Sequence, residues 1–166
     1  MSPVDTTYNI IPWPEATLHI YVACRSGAVC SVRFVRDGQV APTEAFYSPA
    51  STGFATAAIS TYLAGDSTSF DVPLCLTGTA FQTQVWAALQ GIPHGTVQTY
   101  GRVAQRVGCP GGSRAVGGAV GKNPVAILVP CHRVVSSQGL GGFTGGVDIK
   151  KQLLRLEGID TPYGTV

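Results

Sequence analysis

Apolar positions change period several times along the 166-residue chain, and each change predicts an element. Residues 1–15 are Pro-rich and mixed in polarity, and read as irregular. Residues 17–24 and 28–36 alternate, which predicts two strands, with Arg25-Ser26-Gly27 as the hairpin turn between them. Asp37-Gly38 reads as a further turn and 40–50 as loop. Over 52–63, Phe54, Ala55, Ala58, Ile59, Tyr62 and Leu63 fall at helical spacing, and Gly65 marks a stop. Alternation returns over 70–76, predicting another strand. The first half therefore reads as a small sheet with a helix against it.

The spacing turns mainly helical near Thr77-Gly78, which divides the chain into domains 1–77 and 78–166 and predicts an α/β (α+β) class. Residues 79–89 place Phe81, Val85, Trp86 and Leu89 on one face. Ile92-Pro93-His94-Gly95 is a loop, and His94 reads as a solvated side chain. Thr99 is expected to cap a helix over 100–107 closed by Gly108, and Ser113 a second over 114–121. The turn between them, Cys109-Pro110-Gly111-Gly112, completes a helix-turn-helix pattern. The second helix carries the small residues Ala115, Gly117, Gly118 and Ala119. Glycine in a helix interior costs about 1 kcal/mol relative to alanine, so close approach by another helix or a DNA groove is expected. Arg114 opens this helix, where the dipole disfavours a cation, which suits a role toward a partner. A last helix is expected over 149–157, capped by Asp148 and stopped by Gly158.

The chemistry gathers at Val125-Ala126-Ile127-Leu128-Val129-Pro130-Cys131-His132-Arg133-Val134-Val135. Five apolar residues predict a buried, strand-like segment that Pro130 ends. A thiol, an imidazole and a guanidinium follow at once. An unperturbed thiol has a pKa near 8.5, so only roughly a few per cent is ionised at neutral pH. His132 can take the thiol proton, and Arg133 can stabilise negative charge. Successive side chains on an extended chain point to opposite faces, so Cys131 and His132 need a bend or a bridging water, and the water is favoured. A carboxylate is needed to fix the imidazole tautomer. Glu157, near the end of the last helix where the dipole disfavours a carboxylate, reads either as a solvated terminal charge or as that partner of His132.

Composition narrows the class. With 45% hydrophobic and 12% charged residues the chain is not disordered, and no apolar run reaches membrane-spanning length. No basic region followed by an apolar core marks a secretory signal. Five cysteines (24, 30, 75, 109, 131), an odd number without a C-x-x-C pair, fit a reducing, cytoplasmic setting. His19, Cys24 and Cys30 lack a four-ligand spacing, so no cofactor is expected, with a structural zinc as the alternative. Residues 1–77 carry three basic and six acidic side chains, net −3, whereas 78–166 carry eight and three, net +5. The second half is thus the candidate polyanion surface. The Gly-rich loop 139–146 has no Gly-Lys-Ser/Thr ending, which sets aside a nucleotide site; it suits a pocket wall that admits something flat.

Several motifs together resemble the O6-alkylguanine-DNA alkyltransferases, the methylated-DNA–protein-cysteine methyltransferases. They are Phe81 with Val85-Trp86, Ile92-Pro93-x-Gly95, Tyr100, Arg114-Ala115-Val116-Gly117, Asn123-Pro124, Pro130-Cys131-His132-Arg133-Val134, Gly142-Phe143-x-Gly145, and Lys150 with Leu153-Leu154-x-Leu156-Glu157. The likeness covers roughly residues 81–157. It implies an N-terminal RNase H-like α/β domain and a helical C-terminal domain with a helix-turn-helix. By this resemblance Cys131 is the alkyl acceptor, His132 bridges to it through water, and Glu157 holds His132. Tyr100 donates to the departing guanine, Asn123 braces the bend before the active-site segment, and Arg114 fills the gap left by an everted nucleotide. Thr99, Ala115, Gly118, Lys122 and Arg133 join Arg114 as expected DNA contacts, and Val134, Phe143, Thr144 and Gly145 wall the base pocket. Phe143 stands where tyrosine is common and Thr144 where serine is common, so the pocket departs in shape.

The implied activity is suicide transfer of an alkyl group from O6-alkylguanine, and from O4-alkylthymine, in double-stranded DNA bound through the minor groove without sequence preference. A monomer is expected, with cooperative loading on DNA as an extension. Some relatives carry a structural zinc in the first domain, but no ligand set maps onto this chain. The rival readings are a noncatalytic lesion-binding helix-turn-helix protein, a cysteine hydrolase and a helix-turn-helix regulator.

Overall fold

The computed structural model describes residues 6–36 and 45–160, so the Asp37-Gly38 turn lies outside the described residues. The chain divides into two compact units, residues 1–76 and 77–166.

In the first unit, β1 (Thr6–Trp13), β2 (Leu18–Arg25), β3 (Ala28–Arg36) and β4 (Phe46–Tyr47) form one sheet in the order β3-β2-β1-β4. β1–β2 and β2–β3 are antiparallel, and β4 lies parallel to β1. Helix α1 (Pro49–Leu63) packs on β1 and β2 and buries Ala55, Ile59 and Tyr62 against a sheet face that includes Ile20 and Val22.

Two expectations are corrected here. Residues 6–13 are a strand, not irregular chain. Pro12 is tolerated because β4 reaches only Thr7 and Tyr8, so no described strand asks Pro12 for an N–H on that edge. Conversely, 70–76 makes only one parallel bridge, Leu74 to Val29. Pro73 contributes its carbonyl to Val29 N but has no N–H with which to continue a ladder.

The second unit contains α2 (Ala80–Gln90), β5 (Gln98–Thr99), α3 (Tyr100–Arg106), α4 (Ser113–Gly121), β6 (Val134–Val135) and α5 (Val147–Leu156). α2, α3 and α4 pack on one another. A reciprocal box opens α2: Thr79 Oγ1 accepts from Gln82 N while Gln82 Oε1 accepts from Thr79 N. Trp86, completely enclosed, donates its indole N–H to the Ala119 carbonyl at 2.9 Å and so ties α2 to α4. Gly78 makes room for that ring, since a Cβ there would lie 2.6 Å from it.

Thr99 caps α3 as expected, accepting from Arg102 N at 3.2 Å. Ser113 does not cap α4: Gly112 is the N-cap and Ser113 the first helical residue. Asp148 likewise lies inside the first turn of α5, where its charge suits the dipole, and the N-cap is Gly146 at φ 105°. Among the described residues no helix is long and apolar enough to cross a membrane.

Candidate active site

The segment before Cys131 is buried as expected but is not a strand. Overlapping turns replace the ladder: Val129 N donates to Val125 O at 3.0 Å and Leu128 N to Ala126 O at 2.9 Å. Ile127, between the last two, is held at φ 73°. A β-branched residue in that region carries strain on the order of 1–3 kcal/mol. The Asn123 side chain organises the arrangement: its amide donates to Val129 O at 2.8 Å and its carbonyl accepts from Val125 N at 3.1 Å. The same amide is near enough to Cys131 to favour the thiolate. Pro130, at φ −79° and ψ 66°, makes an inverse γ-turn with Cys131 N bonded to Val129 O.

Cys131–Arg133 then form a single 3-10 turn. The pair Cys131–His132 is therefore bent rather than extended, with successive side chains about 120° apart, which leaves a water bridge the better connection. Cys131 is buried, and burial raises its pKa against the opposing influence of the Asn123 amide and the Lys150 charge. His132 is wholly enclosed, and burial lowers its pKa against Glu157. Both groups therefore rest neutral.

Glu157 closes α5, and its carboxylate collects donors from three places. His132 Nε2 lies 2.7 Å from Oε1, Arg133 Nε and Nη2 each reach Oε1, and Gly95 N donates to Oε2 at 3.1 Å. Because a carboxylate only accepts, Nε2 carries the ring hydrogen and the lone pair sits on Nδ1.

A cavity of about 490 Å³ opens beside Cys131. Tyr100, Ser113, Gly117, Val120 and Gly121 line one side of it, and Gly142, Phe143 and Thr144 come from the loop. Tyr100 donates to Gly142 O at 3.4 Å, and burial raises its pKa, with an ionised Cys131 adding to the effect, so its hydroxyl keeps its proton. Gly141, at φ 70°, is required at that contact: a Cβ would lie 2.9 Å from the Tyr100 ring. Thr144 Oγ1 donates to Gly121 O at 3.1 Å and joins the loop to the end of α4.

The other expected residues separate. Arg114, Ala115, Gly118 and Lys122 are exposed along α4 and its end, and Thr99 is half-buried at the start of α3. A Cβ at Gly118 or Gly121 would meet nothing within 4 Å, so no part of the described structure needs these glycines small. Arg133 is not a DNA contact: it is buried, forked onto Glu157, and bonded to Ile92 O at 2.6 Å. Val134 is completely buried, and neither it nor Gly145 is among the residues lining the cavity.

Three contributors stand in the sequence motifs with no role assigned to them there. Lys150 is fully buried, and its Nζ donates to Val134 O, Leu140 O and Gly142 O, fastening the loop beside the active cysteine. Burial lowers its pKa to about 8. Gly95 and Ile92, from the loop read as bland, hold Glu157 and Arg133.

The family described as 6-O-methylguanine DNA methyltransferase, DNA binding domain, matches residues 80–159. The methylated-DNA–protein-cysteine methyltransferase of Mycolicibacterium paratuberculosis is 46% identical over 126 residues, covering 70% of this chain and 76% of the relative. The chain belongs to the methylated-DNA–protein-cysteine methyltransferase family. The structure of the Mycobacterium tuberculosis family member OGT in complex with DNA superposes with TM-score 0.82 at 39% identity, covering 91% of this chain and 92% of that one. The O6-methylguanine-DNA methyltransferase from Pyrococcus kodakaraensis KOD1 gives TM-score 0.66 at 26% identity, over 93% and 99% of the two chains. The α/β class and the two-part fold expected from sequence are those of these methyltransferases.

Proposed function

We propose that this methyltransferase repairs O6-alkylguanine in double-stranded DNA by accepting the alkyl group on Cys131, once per molecule. The observation that carries the reading is a buried thiol facing a cavity, with the 2.7 Å His132–Glu157 pair behind it. The cavity volume falls within the roughly 300–1,000 Å³ usual for small-molecule sites. An O6-alkyl carbon inside the stack is out of reach, so the nucleotide is everted, at a cost of a few kcal/mol.

The thiol proton passes through a bridging water to His132 Nδ1, and Glu157 stabilises the imidazolium. The thiolate attacks the alkyl carbon in line: the S–C bond forms as the C–O6 bond breaks, and the electron pair leaves with guanine. Tyr100 donates a hydrogen bond or proton to that leaving group. O4-alkylthymine presents the same carbon–oxygen bond. The thioether product has no hydrolysable acyl bond and no second nucleophile beside it, so each chain acts once.

Arg114, Ala115, Gly118, Lys122 and Thr99 meet the duplex from the minor groove. Small residues on α4 permit close approach, Arg114 fills the vacated stack, and Lys122 serves the phosphates without reading sequence. The protein acts as a monomer in the cytoplasm, and its chemistry needs no metal.

Intact-mass measurement and peptide mapping after incubation with O6-methylguanine duplex test the reading. The expected result is one methyl group per chain on the peptide containing Cys131, and none in Cys131→Ser. Binding without label supports the noncatalytic rival, and continued product release supports a hydrolase.

A further inference from the structure

Arg133 stands next to the candidate nucleophile pair yet turns away from the cavity. Its Nη1 is pinned by Ile92 O at 2.6 Å, and its Nε and Nη2 fork onto Glu157 at 2.9–3.1 Å. The carboxylate thus has two claimants. Oε1 is shared between Arg133 and His132, while Oε2 takes Arg133 and the Gly95 N–H. The Glu157 and His132 side chains are both wholly enclosed.

A carboxylate in such a place needs a cation beside it. With Arg133 supplying the charge, His132 need only be a neutral hydrogen-bond donor. Were Arg133 absent, the counter-ion would have to be His132 itself, as an imidazolium. A ring already carrying that proton has no lone pair for another.

We infer that Arg133 is a positioning residue of the relay: by forking onto Glu157 it supplies the counter-charge and leaves His132 neutral, able to accept the Cys131 proton. This rests on the reading of Cys131 as the alkyl acceptor. The charged and titratable groups facing His132 are Glu157 and Lys150 from α5, and Cys131 and Arg133 from its own turn. Their balance agrees in direction: burial lowers the imidazole pKa most, Arg133 and Lys150 add to the lowering, and Glu157 opposes it.

The test is the pH dependence of single-turnover transfer in the full chain, comparing wild type, Arg133→Lys and Arg133→Gln. In Arg133→Gln the lower limb of the profile moves up by about one pH unit or more, so the rate at pH 6.5 falls about tenfold and recovers near pH 9. Arg133→Lys retains a cation and keeps the limb near its wild-type position. A uniform rate loss with an unmoved limb in both variants overturns the inference. The same profiles read with iodoacetamide on Cys131 require no lesion, so they test Arg133 even if alkyl transfer from DNA is never seen. Should Arg133→Gln fail to fold, ¹⁵N-histidine titration of wild type and Arg133→Lys decides. A His132 ring neutral at pH 7 in both supports the inference, and a protonated ring in wild type overturns it.

Discussion

The buried Nζ of Lys150 donates to the carbonyl oxygen of Val134, three residues beyond Cys131. With Leu140 O and Gly142 O as further acceptors, one side chain ties α5, β6 and the pocket loop together. Lys150→Met strands these carbonyls at about 1–3 kcal/mol for each that stays dry. We expect a loss of about 2–4 kcal/mol in urea melts and slower methyl transfer.

The same lysine makes stability depend on pH. Its pKa falls from 10.5 to about 8 in the folded chain. Between those values the unfolded state binds more protons, so the contribution of Lys150 rises with pH through that window. The stability difference between wild type and Lys150→Met should therefore grow in favour of wild type from pH 8 to 10. Chemical denaturation of both proteins at each pH measures it.

Asn123→Ala removes the donor to Val129 O and the acceptor for Val125 N. The side-chain tether across the strained Ile127 turn is then lost, leaving only the backbone turn bonds, and Cys131 loses a neighbouring amide that favours its ionised form. A loss of about 2–3 kcal/mol is expected, together with a shift of iodoacetamide reactivity toward higher pH. Thermal melts and alkylation rates give the two readings.

Gly118→Ala separates folding from function. Nothing lies within 4 Å of the added Cβ, and Gly118 is inside α4. Helix propensity alone should stabilise the chain by up to about 1 kcal/mol. If α4 meets the duplex, the same methyl group weakens DNA binding. Stronger melting with unchanged affinity would remove Gly118 from the proposed interface.

Arg114→Ala and Lys122→Ala replace exposed side chains, so stability should change by no more than about 0.5 kcal/mol. Lys122→Ala should lower the salt dependence of binding by about one phosphate contact. Arg114→Ala should retain affinity for undamaged duplex better than it retains transfer. Salt titrations and single-turnover rates check each.

The thiol, the imidazole and the carboxylate were legible because their types, and the unusual string around Cys131, restrict the chemistry. Helix positions were legible for the same kind of reason: Thr99 and Gly158 are strong local starts and stops. Residues 125–129 were not, because five apolar side chains specify burial, not backbone conformation, and the Asn123 amide outcompetes a ladder. Arg133 misled because a cation beside a nucleophile reads as an anion binder until Glu157 is brought in from 24 residues away. Lys150 stood in a motif, but its role was not legible because lysine is seldom fully enclosed, and only the fold places three carbonyls around it. In β1 the composition around Pro12 hid a strand whose far edge happens to need no donor.

Glu157 is the last residue of its helix to be placed, and it follows Cys131 by 26 positions in the chain. During synthesis the sulfur therefore leaves the ribosome well before the group that readies its base. The thiol and its base are brought together only when α5 docks, so alkyl acceptance belongs to the folded second unit and not to the cysteine alone.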